Sequence, residues 1–259
     1  MHEEHHRGHG YGKSNESLSL MSIWPKQVSP IGSREQEICD EFMADWHRRL
    51  GGSLRFMDRF NRSFVVRNSQ KNWERTLDLG AGLGEHFLFE QIPPAKMRNY
   101  QMVEMRENMA KSICNRFPEA RVHIGDCQNR LPFPDQYFDR ILAIHVLEHL
   151  PRLPDCLKEV RRLLVKKGGN FIVVIPCEGG GFYSLARRCS AQRIFEKKYN
   201  LPYDVFIRRE HLSSAQEIIT EIKKIFQIRK ATYFPFVLPS VALNLFIGLS
   251  CAVPQVEQA

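Results

Sequence analysis

From Arg75 onward, short apolar runs alternate with amphipathic stretches almost to the end of the chain. Runs too short for helices and rich in branched or aromatic residues predict strands near 75–79, 99–104, 121–125, 138–145, 170–175, 227–233 and 243–251. Between them, apolar positions at helical spacing predict helices near 84–91, 107–116, 154–165, 182–197 and 213–225. This alternation is the signature of βαβ units wrapped around a mainly parallel sheet with helices on both faces, an α/β fold.

Upstream the texture differs. Ile38, Phe42, Met43, Trp46 and Leu50 form an apolar stripe, with Ser33 and Gln36 at capping-box spacing before it and Gly51-Gly52 after it. A second helical stretch is expected over Leu54 to Val66, so residues 31–70 read as an N-terminal helical cap. Residues 1–30 carry no hydrophobic periodicity and are expected to be a disordered tail. Its His2, His5, His6 and His9 could hold a metal ion only weakly.

Composition narrows the class. Hydrophobic residues make up 43% of the 259-residue chain, as in a globular protein. The seven cysteines are scattered, without a C-x-x-C pair, which argues against a disulfide framework or a cysteine zinc site. With no apolar leader at the N-terminus, a reducing cytoplasm is the expected compartment. The net charge of +8 is spread along the chain and permits acidic partners without selecting one. The segment Phe234–Pro254 is uncharged over 21 residues, but Pro235, Pro239, Asn244 and Gly248 interrupt it. Two buried strands joined by a loop are expected there, with a peripheral membrane contact as the alternative.

The first strand runs into TLDLGAGLGEH, where Asp78 precedes Gly80, Gly82 and Gly84. Glycines at such a turn bring backbone amides close to a ligand. The dinucleotide fingerprint G-x-G-x-x-G is not met, because Glu85 stands where its third glycine belongs. Glu104 ends the second strand and can accept hydrogen bonds from two ribose hydroxyls, and Asp126 follows the third strand, where an adenine amino group can reach it. Three acids at successive strand ends suit a cationic, adenosine-bearing ligand better than a pyrophosphate.

With LDLGAGLG, VEMREN, GDC and the long stretch LPFPDQYFDRILAIHVLEHLPRL through FIVVIP, the chain resembles the class I S-adenosylmethionine-dependent methyltransferases, small-molecule (type 11-like) branch. The resemblance is close over about residues 70–176. It implies a Rossmann-like seven-stranded sheet with the last strand antiparallel, over a methyltransferase domain at 71–259, and S-adenosyl-L-methionine as cofactor. Carried over residue by residue, Gly80, Ala81, Gly82 and Gly84 form the loop under the methionine part, and Asp78 supports its ammonium. Glu104 is the ribose acid with Met105 beside it, Asp126 receives the adenine, and Cys127 offers the next backbone contact. His145, at the end of the fourth strand, lies beside the methionyl chain and the reaction centre. The N-P-P-Y type sequence of amino-group DNA methyltransferases is absent.

Methyl transfer needs alignment and exclusion of water, with a general base if the acceptor is an alcohol. His145, His149 and His211 are the candidates for that base. The stretch at about 177–211 stands where such enzymes build a substrate lid, with Gly179-Gly180-Gly181 as a hinge, a basic helix after it, and Glu178, Tyr183 and Arg187 facing the acceptor. Trp46, Phe56 and Phe60 are expected to cover the same pocket. His145-x-x-Glu148-His149 is similar to the metal-binding E-x-x-E-H of some RNA and quinone methyltransferases, with His211 as a distant fourth ligand. Relatives with V-L-E-H-L-P and no metal are widespread, so the expectation is no metal at His145, Glu148, His149 and His211. The expected activity is methyl transfer to a small molecule, a sugar or lipid-precursor intermediate that is phosphorylated in one version, by a monomer or homodimer. Nucleic acid is not the expected partner, for want of an RNA-binding module or an aromatic-studded basic stretch. The competing readings are a metal-assisted RNA methyltransferase and a non-catalytic scaffold of the same fold.

Overall fold

The computed structural model describes residues 24–28, 30–51 and 55–255. Two helices, α1 (Ser33–Gly51) and α2 (Arg55–Asn68), precede the sheet. Then follow β1 (Thr76–Leu79), α3 (Glu85–Glu90), α4 (Pro94–Met97), β2 (Tyr100–Glu104), α5 (Glu107–Arg116), β3 (Arg121–Ile124) and β4 (Arg140–Ile144). After β4 come a 3-10 turn (Leu147–His149), α6 (Leu153–Leu163) and β5 (Asn170–Pro176). The C-terminal part holds α7 (Gly181–Arg187), α8 (Arg193–Tyr199), α9 (Tyr203–Glu210), α10 (Ala215–Ile225), β6 (Gln227–Phe234) and β7 (Phe246–Ala252).

The strand order is β3-β2-β1-β4-β5-β7-β6, with β7 antiparallel to both neighbours and all other pairs parallel. The order reverses between β1 and β4, and a crevice at the carboxyl ends of these two strands is the ligand position of such sheets. The central strands are apolar on both sides because helices cover both faces. Leu157, Val160 and Leu163 of α6 and Ile218 and Ile222 of α10 seal one face. Phe64 and Val65 of α2, Phe87 of α3 and Ile113 of α5 seal the other.

Gly248, which breaks the apolar run in the sequence, has a packing reason. A Cβ there would lie 2.6 Å from the Phe64 ring, so only glycine lets α2 lie flat on β7. The Phe60 ring stacks on Phe234 at 4.6 Å, and these two contacts set the rotation of α2 on the sheet. Helix α1 goes elsewhere: Cys39 and Phe42 pack with Phe195, Tyr203 and Phe206 of α8 and α9. The N-terminal helices are therefore two pieces, one packed against the sheet and one against α8 and α9.

Several expectations are corrected. The cap of α1 is Gly32, not Ser33: its amide donates to Glu35 Oε2 at 2.9 Å and its carbonyl accepts from Gln36. Order also begins earlier than Ser33, because the Trp24 indole donates to Glu221 and the Lys26 ammonium meets Glu217 at 2.5 Å on α10. The histidines of the tail lie outside the described residues. The single helix expected over 182–197 is α7 and α8 joined by a π-helical segment, Arg188–Gln192, and α9 occupies a stretch that the periodicity left unassigned. Asn200, in a left-handed conformation, ends α8, and Pro202 opens α9. Between Phe234 and Pro254 only β7 is a buried strand, and Phe236, Val237 and Leu238 form an exposed loop. No helix among the described residues is long and apolar enough to cross a membrane.

Candidate active site

The turn after β1 holds Gly80, Gly82 and Gly84 at φ of 61°, 61° and 74°, a region that L side chains rarely enter. At Gly80 the requirement is double, since an added Cβ would lie 2.6 Å from a Val146 methyl on the loop after β4. Ala81 is buried and its amide donates to the Val103 carbonyl, tying the turn to β2. Glu104 faces the turn directly. Its Oε2 accepts from the Gly82 amide at 2.9 Å and its Oε1 from the Arg106 amide at 2.9 Å. The ribose acid and the glycine loop of the sequence reading thus converge, and Met105 stands 63% exposed beside them, free to lie against a flat ring.

Asp78 sits deeper than its expected role suggests. It is buried, its carboxyl accepts from the Tyr100 hydroxyl at 2.8 Å, and burial holds its pKa above the ordinary carboxyl range. Nearby, Glu90 grips the buried Arg140 guanidinium at 2.7 and 3.0 Å, and Arg140 lies 4.1 Å from the Trp73 ring centroid. Burial opposes the Glu90 charge, but His86 and Arg140 prevail and lower its pKa to about 2. Sequence periodicity gave no signal for this pair.

Asp126 closes a local turn by accepting from the Gln128 amide at 2.9 Å, and it keeps a partly exposed carboxylate. The Cys127 thiol points into the core, 3.7 Å from Cys156 Sγ, so any ligand contact at Cys127 is through its backbone.

His145 follows β4 with a φ of 55°, a strained conformation for a residue with a Cβ. The turn swings the ring out of the sheet line. Its Nε2 accepts from Asn61 Nδ2 of α2 at 2.7 Å, and its Nδ1 faces Glu148 Oε1 at 3.3 Å. Phe246 of β7 packs against the ring at 5.3 Å. Asn61 was not singled out from the sequence, since only the packing of α2 on Gly248 brings it here. Phe60, expected to cover the pocket, precedes Asn61 on α2 and stacks on Phe234, whereas the Phe56 side chain is outside the described residues.

Glu148 and His149 share the 3-10 turn, and the chain after α9 brings His211 to them. Both the Leu212 and Ser213 amides donate to the Glu148 carbonyl, at 2.8 and 3.2 Å. The His149 and His211 rings are 5.2 Å apart. The Glu148 carboxylate is almost fully buried. Burial would raise its pKa, but His145, His149 and His211 around it hold it at about 2. Burial also pushes the His149 pKa down, against the pull of Glu148. The predicted acceptor residues join the same cluster: His211 Nδ1 donates to Glu178 Oε2 at 2.8 Å, and the Arg187 guanidinium meets both Glu178 oxygens at 2.6 Å. Arg187 lies 5.7 Å from the Tyr183 ring centroid. Burial and the Glu178 charge raise the Tyr183 pKa well above its usual value, so the hydroxyl keeps its proton.

The basic helix expected in the lid is partly neutralised. Arg187 turns inward to Glu178, Lys198 pairs with Glu41 and Arg208 with Asp204.

Residues 77–173 match the family model described as a methyltransferase domain. Sterol 4-C-methyltransferase strm-1 of Caenorhabditis elegans is 34% identical over 103 residues, 38% of this chain and 29% of that protein. Demethylmenaquinone methyltransferase of Tropheryma whipplei is 31% identical over 102 residues, 39% of this chain and 41% of that protein. The matches thus span well under half the length of these curated relatives. Among solved structures, a possible histamine N-methyltransferase of Thermotoga maritima superposes with a TM-score of 0.58 at 22% identity, covering 83% of this chain and 98% of that one. N-methyltransferase NodS of Bradyrhizobium japonicum, solved with S-adenosyl-L-homocysteine, gives a TM-score of 0.58 at 14% identity over 85% and 98% of the two chains. At these identities the superpositions bear on fold, and the fold agrees. Residues 77–173 thus match a methyltransferase domain, and the strand order of the chain is that of the Rossmann-like methyltransferase fold of these solved structures.

Proposed function

We propose that the protein transfers a methyl group from S-adenosylmethionine to a small acceptor of lipid-precursor type. The observation that carries this reading is the set of groups at the switch point: a left-handed glycine turn after β1, held by Glu104 at the end of β2, and His145 just after the neighbouring β4. Glu104 would exchange its hydrogen bond with the Gly82 amide for the two ribose hydroxyls, and Asp126 and Met105 would flank the adenine. S-adenosylmethionine supplies an electrophilic methyl on a good leaving group. The protein's part is alignment and water exclusion. His145 Nε2 is the atom that can take a hydroxyl proton, once an acceptor displaces Asn61 from it. Glu148, which faces Nδ1, orients the ring and stabilises the imidazolium that results.

Three features favour an apolar acceptor over a nucleic acid. The relatives named above act, by their names, on a sterol and on demethylmenaquinone. Phe236, Val237, Leu238 and Leu185 are exposed at one rim, with Phe182 of α7 packed on Phe236 at 5.5 Å, which is also where a peripheral membrane contact would form. Arg187, Lys198 and Arg208 are each engaged by a carboxylate, which reduces the basic surface offered to an RNA backbone. Calorimetric titration with S-adenosylhomocysteine, followed by labelled-methyl transfer to a cell lipid extract, tests the reading. Cofactor binding with methyl appearing in the organic phase supports it. Transfer only to RNA overturns the acceptor class, and no cofactor binding overturns the activity.

A further inference from the structure

We propose that Glu148, His149 and His211 form a binding site for a divalent transition-metal ion, zinc or a neighbour such as cobalt or iron(II). One ligand atom from each residue lies within 4.8 Å of the others, with Glu148 Oε1 and His149 Nε2 at 3.9 Å. Tetrahedral zinc with N and O ligands at about 2.0–2.1 Å needs ligand atoms roughly 3.3 Å apart, so closure takes side-chain shifts of only about 1 Å.

The second observation is the set of hydrogen bonds around the triad. His149 Nδ1 donates to the Glu210 carbonyl, an atom that can only accept. His211 Nδ1 donates to the Glu178 carboxylate at 2.8 Å, and Arg187 pins that carboxylate. Both rings are thereby held as Nδ1–H tautomers, with the Nε2 lone pair left for a ligand. A carboxylate or carbonyl behind each histidine is the usual support of a metal-binding imidazole. A third observation points the same way. Glu148 is almost fully buried, yet among the described residues its Oε2 has no hydrogen-bond partner, a costly arrangement that a cation held by both carboxylate oxygens would relieve.

Two imidazoles and one carboxylate favour zinc, iron or cobalt over magnesium, which prefers an all-oxygen shell. His149 and His211 keep partial exposure, so open coordination positions face the acceptor side. The natural occupant of those positions is an oxygen of the acceptor, a hydroxyl or phosphate, held one carboxylate away from His145. Metal binding by the protein needs no cofactor, so this proposal and the methyl-transfer reading fail or survive separately.

The test is titration of chelator-treated full-length protein with Co²⁺, read by visible absorption, and with Zn²⁺, read by calorimetry. To remove weak sites in the tail, His2, His5, His6 and His9 are replaced by alanine in every protein used. A saturable site with Kd of ~1 μM or tighter is expected. His211→Ala should weaken it at least a hundredfold, with the cobalt band lost. Glu148→Gln should do the same, and where this buried substitution unfolds the chain, His211→Ala alone decides. Glu178→Gln removes no ligand and should weaken binding about tenfold to a hundredfold. Failure of the tail-substituted protein to bind either metal, or unchanged affinity in His211→Ala, overturns the proposal.

Discussion

Asn61 of α2 donates to His145 Nε2 at 2.7 Å, so a residue of the N-terminal cap occupies the one ring atom able to take a proton from an acceptor. If His145 is the base, His145→Ala lowers kcat by about a hundredfold while S-adenosylhomocysteine affinity stays within about threefold. Asn61→Ala frees Nε2 and lowers KM more than it changes kcat. Steady-state kinetics with calorimetry separates the two, and a kcat unaffected by His145→Ala removes the histidine from the chemistry.

Glu104 carries the cofactor prediction. Its carboxylate reaches the Gly82 and Arg106 amides, so Glu104→Ala loses both the ribose contact and a brace of the turn. Affinity for S-adenosylhomocysteine should fall at least tenfold, about 1.4 kcal/mol or more. Asp78→Asn should cost less, because the buried Asp78 carboxyl is engaged by the Tyr100 hydroxyl, whereas Glu104 bonds the turn itself. Equal affinity in wild type and Glu104→Ala would sink the assignment.

Gly80→Ala places a Cβ at φ 61° and 2.6 Å from Val146. Left-handed backbone costs about 1 kcal/mol at a residue with a Cβ, and the clash adds to it. The variant should bind cofactor at least tenfold more weakly, and the double change with Val146→Ala should recover part of the loss. No recovery in the double variant would show that backbone strain, not the contact with Val146, is the cause.

Glu90→Ala leaves the Arg140 guanidinium buried without its carboxylate, a change worth about 3–5 kcal/mol. A fall in Tm of roughly 10 °C is expected, at about 2–4 °C per kcal/mol for a chain of this size. Glu90→Gln keeps shape and one hydrogen bond and should fall less. Thermal melts of both variants decide whether the pair is structural.

Glu148, lowered from 4.5 to about 2, gives a pH prediction. Between these values the unfolded chain binds more protons than the native one, so stability rises with pH through the window and is lost as pH falls towards 2. His149, lowered from 6.5 by burial, acts with the same sign just below 6.5. Melting temperature against pH should therefore be less steep in Glu148→Gln than in wild type between about pH 2 and 4.5. Parallel curves would show that the carboxylate is not held in its charged form by the histidines.

The local sequence already determined a large part of this protein. All seven strands lie within a few residues of their expected positions, because the buried central strands must be apolar and the edge strands β3 and β6 keep branched or aromatic residues among polar ones. The glycine turn and Glu104 were legible for a similar reason: left-handed backbone and a strand-end carboxylate leave their mark in a few adjacent residues. Ser214 and Glu217, the capping box of α10, are equally local.

Only the tertiary structure decided what depends on distant packing. The sequence placed His145 at the end of the fourth strand, but only the fold shows that the left-handed His145 turns its ring to Asn61 while Glu148 and His149 follow in a 3-10 turn. His211 joins them from more than sixty residues along the chain, through the Glu148 carbonyl, as the Glu210 carbonyl's partner His149 already shows by its 61-residue separation. Asn61 reaches the site because Phe64 needs the missing Cβ of Gly248. Arg187 carries no mark in the sequence that it would turn inward to Glu178 instead of outward to a ligand. Periodicity records which side of an element is buried. It does not record which element lies on that side, and the chemistry of this site is set by that pairing.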